Sequence, residues 1–69
     1  MQYRITEVFY YDDGSSSMGF RVSDDYEDLK KDFMSMMEDL MVEDYYESDK
    51  NMSFRTQQGD VEVFLDEVI

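Results

Sequence analysis

Asp25, Asp28, Asp32, Asp39 and Glu43 follow one another at spacings of three, four, seven and four residues, the rhythm that stacks side chains along one side of an α-helix. A carboxylate pair of this kind can exchange protons as general acid and base, and a straight row of carboxylates can imitate a polyanion. The first chemistry lacks its other parts. The chain has no His and no Cys, no nucleophile motif and no phosphate-cradling glycine loop. A domain this small also has little room for a cleft that would split two carboxyl pKa values. Enzymatic activity is not expected, and nothing calls for a cofactor. A zinc site of the usual nitrogen and sulfur type is likewise not expected. The "DDGSSS" stretch lacks the spaced oxygens and closing Glu of a calcium loop, and reads as a turn.

Imitation of a polyanion fits better. At a rise of about 1.5 Å per residue, carboxylates four positions apart stand roughly 6 Å apart along a helix, a step comparable with that between phosphates of one DNA strand. Asp28 with Asp32, and Asp39 with Glu43, are like-charge pairs at i,i+4 that each cost a few tenths of a kcal/mol. Glu38, Asp39 and Glu43 also sit toward the negative end of the helix dipole, where cations are the stabilising choice. Only Glu27 with Lys30 and Lys31 relieves the repulsion, so charge reversal at Asp28 and Asp32 is expected to leave the fold as stable or more so. Asp12, Asp13, Asp44, Glu47, Asp49 and Asp60 extend the track into loops. The bland alternative is a solvated face that keeps a small protein dispersed.

The elements that must carry this ridge can be read from hydrophobic periodicity. "QYRITEVFYY" alternates, with Tyr3, Ile5 and Phe9 on one side and Glu7 interrupting them, the period of a strand. "MGFRV" puts Met18, Phe20 and Val22 on one side and Gly19 and Arg21 on the other, completing a hairpin across the serine turn. Between Asp24 and Glu43, Tyr26, Leu29, Phe33, Met36, Met37, Leu40 and Met41 fall in one arc of roughly 140°, a core-facing stripe. Ser23 or Asp24 caps this helix, with Glu27 at capping-box spacing from Asp24. It should stop near Glu43, because Asp44 and Glu47 would otherwise enter the stripe, leaving "DYYESDK" as an exit loop. "NMSFRT" and "VEVFLDEVI" then form a second hairpin over "QQGD". The expected fold is α+β, a four-stranded antiparallel sheet with one helix packed on one face, order ββαββ, in a single domain over residues 1–69.

A net charge of −12 sets this protein against nucleic acid and anionic membranes, so neither is expected as a direct partner. No apolar run is long enough to span a bilayer and no signal peptide is evident, which makes a cytoplasmic location the default. With 42% apolar residues and 16% aromatic, the chain should fold, unlike acidic disordered segments. The adjacent pairs Tyr10–Tyr11 and Tyr45–Tyr46 cannot both face an interior, so some of these rings are expected at the surface.

In size, charge and layout, and through the ridge "DDYEDLKKD…MEDLMVEDYYESD", the whole chain resembles phage and plasmid-encoded DNA-mimic inhibitors. Within that class, uracil-DNA glycosylase inhibitors and acidic anti-CRISPR proteins are two groups similar in size and charge. The resemblance implies a partner with a basic DNA-binding groove, a repair glycosylase or a Cas nuclease, in a host bacterial cell. Asp25, Asp28, Asp32, Asp39, Glu43, Asp44 and Glu47 would contact that groove. Glycosylase inhibitors add an apolar pocket for the leucine that the enzyme inserts into DNA. Met34, off the core stripe, is the methionine most free for that role; Met36, Met37 and Met41 are expected in the core. An adaptor or self-associating module, such as a homodimer using its aromatic edge, is the competing class.

Overall fold

The computed structural model describes residues 1–68 and shows β1 (Tyr3–Tyr10), β2 (Ser16–Ser23), α1 (Tyr26–Asp39), β3 (Tyr46–Ser48), β4 (Asn51–Arg55) and β5 (Val61–Glu67). The α+β class and the single helix agree with expectation. The strand count does not: there are five strands in the spatial order β2-β1-β5-β4-β3, all antiparallel, and the chain order is ββαβββ rather than ββαββ. The added strand lies in the expected exit loop, where Tyr46, Glu47 and Ser48 pair with Ser53, Met52 and Asn51. Its hairpin turns at Asp49-Lys50 with Lys50 at φ 56, a left-handed position usually given to Gly or Asn. The sequence therefore carries no turn signal there.

The core lies between α1 and one face of the sheet. Leu29, Phe33 and Met37, at successive i+4 positions, descend onto Ile5, Met52, Phe54, Val61, Val63 and Leu65, whose spacing of two along the strands turns them all to the helix side. Phe33 is fully buried and meets the Phe54 ring edge-on at a centroid distance of 5.1 Å. Glycines serve the two turns read from the sequence: Gly14 at φ 88 between β1 and β2, and Gly59 at φ 75 between β4 and β5.

Helix α1 begins and ends differently from the periodic reading. The cap is Asp25, not Ser23 or Asp24. Its carboxylate accepts the Glu27 N–H at 3.1 Å, and its own N–H donates to Ser23 Oγ at 3.0 Å. The helix stops at Asp39, four residues before Glu43. Met41 N–H donates to the Glu38 carbonyl and Val42 N–H to the Met37 carbonyl, the paired bonds of a Schellman motif, with Met41 in the left-handed C′ position at φ 58. Val42 then packs against the core cluster that holds Met37, the apolar contact that accompanies this motif. So Val42 takes the core place that helical arithmetic assigned to Leu40 and Met41, and both of those are exposed.

Candidate functional site

Reversal of the chain at Asp39 divides the expected ridge into two parts. In the first half the carboxylates are occupied. Asp25 is the helix cap. Asp28 and Asp32 both accept from Arg21 of β2, Asp28 at 3.1 Å from Nη1 and Asp32 from Nη2, so they are bridged rather than left to repel each other. These bonds, that from Asp32 foremost and then that from Asp28, push the guanidinium pKa up from its ordinary value. Arg21 lies seven residues before Asp28 and eleven before Asp32, on β2, where pairing with Ile5 of β1 sets it on the helix side of the sheet. Glu47, on β3 rather than in a loop, stands 3.7 Å from Lys30 Nζ.

The second half is unrelieved. Glu38 and Asp39 close the helix, whose last turn has no basic residue, and Glu43 and Asp44 follow directly beyond the Schellman turn. None of the four carboxylates has a salt bridge or side-chain hydrogen bond among the described residues. They gather where the unpaired helix carbonyls already make the potential negative. Other cations are held elsewhere: Arg4 lies 3.4 Å from Asp66, and Lys50 sits over the Tyr26 ring at 4.7 Å.

Apolar surface adjoins this acidic end. Leu40, Met41, Val42, Glu43 and Asp44 border a concavity that Arg55, Thr56, Gln57 and Gln58 also line. Met41 is 88% exposed, contrary to its expected place in the core. Arg55 is the cation on this rim, yet it reaches no carboxylate at salt-bridge distance among the described residues. Met34 is exposed as expected, but it borders a separate hollow with Glu27, Lys30, Lys31, Ser35 and Glu38. Met37 is buried in the core and Met36 packs against it.

The tyrosines Tyr10, Tyr11, Tyr45 and Tyr46 all reach the surface. Tyr10 O–H donates to Glu62 at 2.8 Å, and this bond to a carboxylate, followed by desolvation, raises its pKa. Tyr26 is also raised, chiefly by burial and then by the charge of Glu47. Asp13 is lowered by the hydroxyl and backbone N–H of Ser15, a turn-stabilising arrangement. Among the described residues no group of His, Cys, Asp or Glu is placed to hold a metal ion, and no helix is long and apolar enough to cross a membrane.

Comparison with protein-family models, with curated proteins and with solved structures gave no match.

Proposed function

We propose that this protein is a DNA-mimic inhibitor that sets the acidic end of α1 into the cationic DNA-binding groove of a host nucleic-acid enzyme, with uracil-DNA glycosylase as the favoured target. One observation carries the reading: among the described residues Glu38, Asp39, Glu43 and Asp44 collect at the negative helix terminus without a salt bridge, directly beside exposed Leu40 and Met41. A structure tuned only for stability would place lysines there. Its carboxylates replace phosphates against the groove's Lys and Arg. Binding therefore weakens steeply as salt rises, as DNA binding does. Met34 and the bridged Asp28 and Asp32 stand apart from this contact, and Asp25 supports it only as the helix cap.

A glycosylase fills the stack vacated by a flipped base with an apolar side chain. The concavity at Leu40, Met41 and Val42 would receive that side chain. Met36 and Met37 belong to the core and add nothing to this receptor, which favours as a second reading the groove of a Cas nuclease, where imitation of phosphates alone suffices. Either role places the protein in the bacterial cytoplasm, as an inhibitor without catalysis of its own.

The test is inhibition. The protein is added in molar excess to a bacterial uracil-DNA glycosylase with uracil-containing DNA, and in parallel to a Cas nuclease with guide and target. The quadruple variant Glu38→Gln, Asp39→Asn, Glu43→Gln, Asp44→Asn is the control. Loss of excision with the wild type and its recovery with the variant is the expected result. Undiminished excision together with loss of DNA cleavage moves the target to the nuclease, and activity in both assays removes these two targets.

A further inference from the structure

Strand β2 forms the long free edge of the sheet, and its register fixes which backbone groups look outward. Tyr11 N–H donates to the Ser15 carbonyl at 2.9 Å at the hairpin end, and bonded pairs alternate with non-bonded pairs along an antiparallel ladder. Hence Ser17, Gly19, Arg21 and Ser23 bond β1, whereas Ser16, Met18, Phe20 and Val22 direct N–H and C=O away from it. Tyr10, opposite Ser16, agrees: its N–H donates the other way, to the Asp60 carbonyl at 2.8 Å. The outward-bonding residues also carry the apolar side chains of the helix-free face, with Met18, Phe20 and Val22 exposed by 70, 69 and 41%.

Free edges are normally blunted by Lys, Pro, a bulge or short length. The other edge, β3, is three residues long. β2 has neither bulge nor short length, since its eight residues pair with β1 without interruption; it contains neither Lys nor Pro, and its one inward-pointing charge, Arg21, is taken up by the helix. It also contains no carboxylate, in a chain of net charge −12. Its single charge, Arg21, is positive and is held by Asp28 and Asp32. A second copy, repelled by most of the surface, meets no carboxylate on this strand.

We propose that β2 pairs antiparallel with β2 of a second copy about a twofold axis at Phe20, joining the two sheets into one. In this register Phe20 faces Phe20 of the second copy and Met18 faces its Val22, as doubly bonded pairs. Arg21 faces Gly19 of the second copy, which has no side chain to obstruct the guanidinium. The self-pairing thus matches backbone and apolar features together. It stands apart from the DNA-mimic reading.

Cysteine cross-linking tests it, because the chain has no Cys of its own. The Cα atoms of a bonded antiparallel pair lie ~5.5 Å apart, within disulfide range, so Phe20→Cys forms a covalent dimer on mild oxidation. Met18→Cys does not link to itself, since its counterpart lies four residues along the strand, roughly 13 Å away. It links instead when mixed with Val22→Cys. Phe20→Pro removes an outward N–H while sparing the bonds to β1, and light scattering should report a monomer with an unchanged circular dichroism spectrum. Wild-type protein with the 8.3 kDa mass of one chain across micromolar to millimolar concentrations overturns the proposal. So does Met18→Cys cross-linking as fast as Phe20→Cys. A dimer that survives Phe20→Pro but dissociates on Phe64→Lys would put the contact on the sheet face instead, and would also refute edge pairing.

Discussion

Val42 N–H donates to the carbonyl of Met37 at 2.9 Å, and this bond fixes where the acidic helix ends. Between the two residues the chain passes through Met41 in a left-handed conformation, which costs an L-residue with a side chain about 1–2 kcal/mol relative to right-handed geometry. Met41→Gly relieves that cost but enlarges the conformational freedom of the unfolded chain. The net expectation is stabilisation by roughly 1 kcal/mol, or about 4–8 °C in Tm for a domain of this size. Because the exposed thioether borders the proposed contact, the same variant should bind its target less tightly. A thermal melt and an inhibition assay on one sample measure both, and a fall in Tm would contradict the Schellman assignment.

Charge reversal should have opposite effects at the two halves of the helix. Asp28→Lys with Asp32→Lys sets two lysines against Arg21 and lowers Tm, the reverse of what the repulsive spacing alone suggests. Glu38→Lys with Glu43→Lys places cations at the negative helix end, where Glu38→Lys alone is expected to gain about 0.3–1 kcal/mol, and removes target binding. Urea titrations of the two double variants decide the matter. Equal changes of the same sign would mean that Arg21 does not bridge the first pair in solution.

Alkaline conditions probe Tyr10 and Tyr26. Both phenols have folded-state pKa values raised above the ordinary value near 10. The stability linked to them is therefore fully present below about pH 10 and is lost as pH rises through the folded-state values. Glu62→Gln removes the main cause at Tyr10 and should move that phenol back toward its ordinary value, while Tyr26 is unaffected. Ring resonances followed by NMR across pH 9–12 read each shift separately. A Tyr10 titration insensitive to Glu62→Gln would show that the hydrogen bond is absent.

Phe33→Ala should cost on the order of 3–5 kcal/mol, because the ring is fully buried and packs edge-on against Phe54 and Tyr45. In a 69-residue chain that is enough to unfold much of the population at 25 °C. Phe33→Leu, which keeps most of the volume, should remain folded with a lower denaturation midpoint. Circular dichroism during urea unfolding distinguishes the two.

Both glycine turns, the β1–β2 hairpin and the inward Val61, Val63 and Leu65 were legible because local chemistry and tertiary structure agree there. β3 was not, since Asp49-Lys50 makes its turn without Gly or Asn and only three residues pair. The helix end was misplaced for a related reason. Leu40 and Met41 keep the period of the stripe, but the choice between continuing and reversing was made by Val42 finding the core. At the candidate site the clustering of Asp and Glu was visible, whereas its division into bridged and unrelieved halves depends on Arg21, which sits on the preceding strand and so outside the helical periodicity that relates the carboxylates. Met18, Phe20 and Val22 show a strand's alternation whichever face they take, so periodicity could not assign them to the side away from the helix.

Arg21, Lys30 and Lys31 attend the first half of α1, and no cation attends its last turn. The helix is therefore electrically lopsided as well as acidic. In the field of a cationic surface such a body experiences a torque before it makes contact, and it turns its Asp39 end forward during diffusion. Encounters would then be productive more often than random collision allows, with an on-rate that drops as added salt shortens the reach of the field.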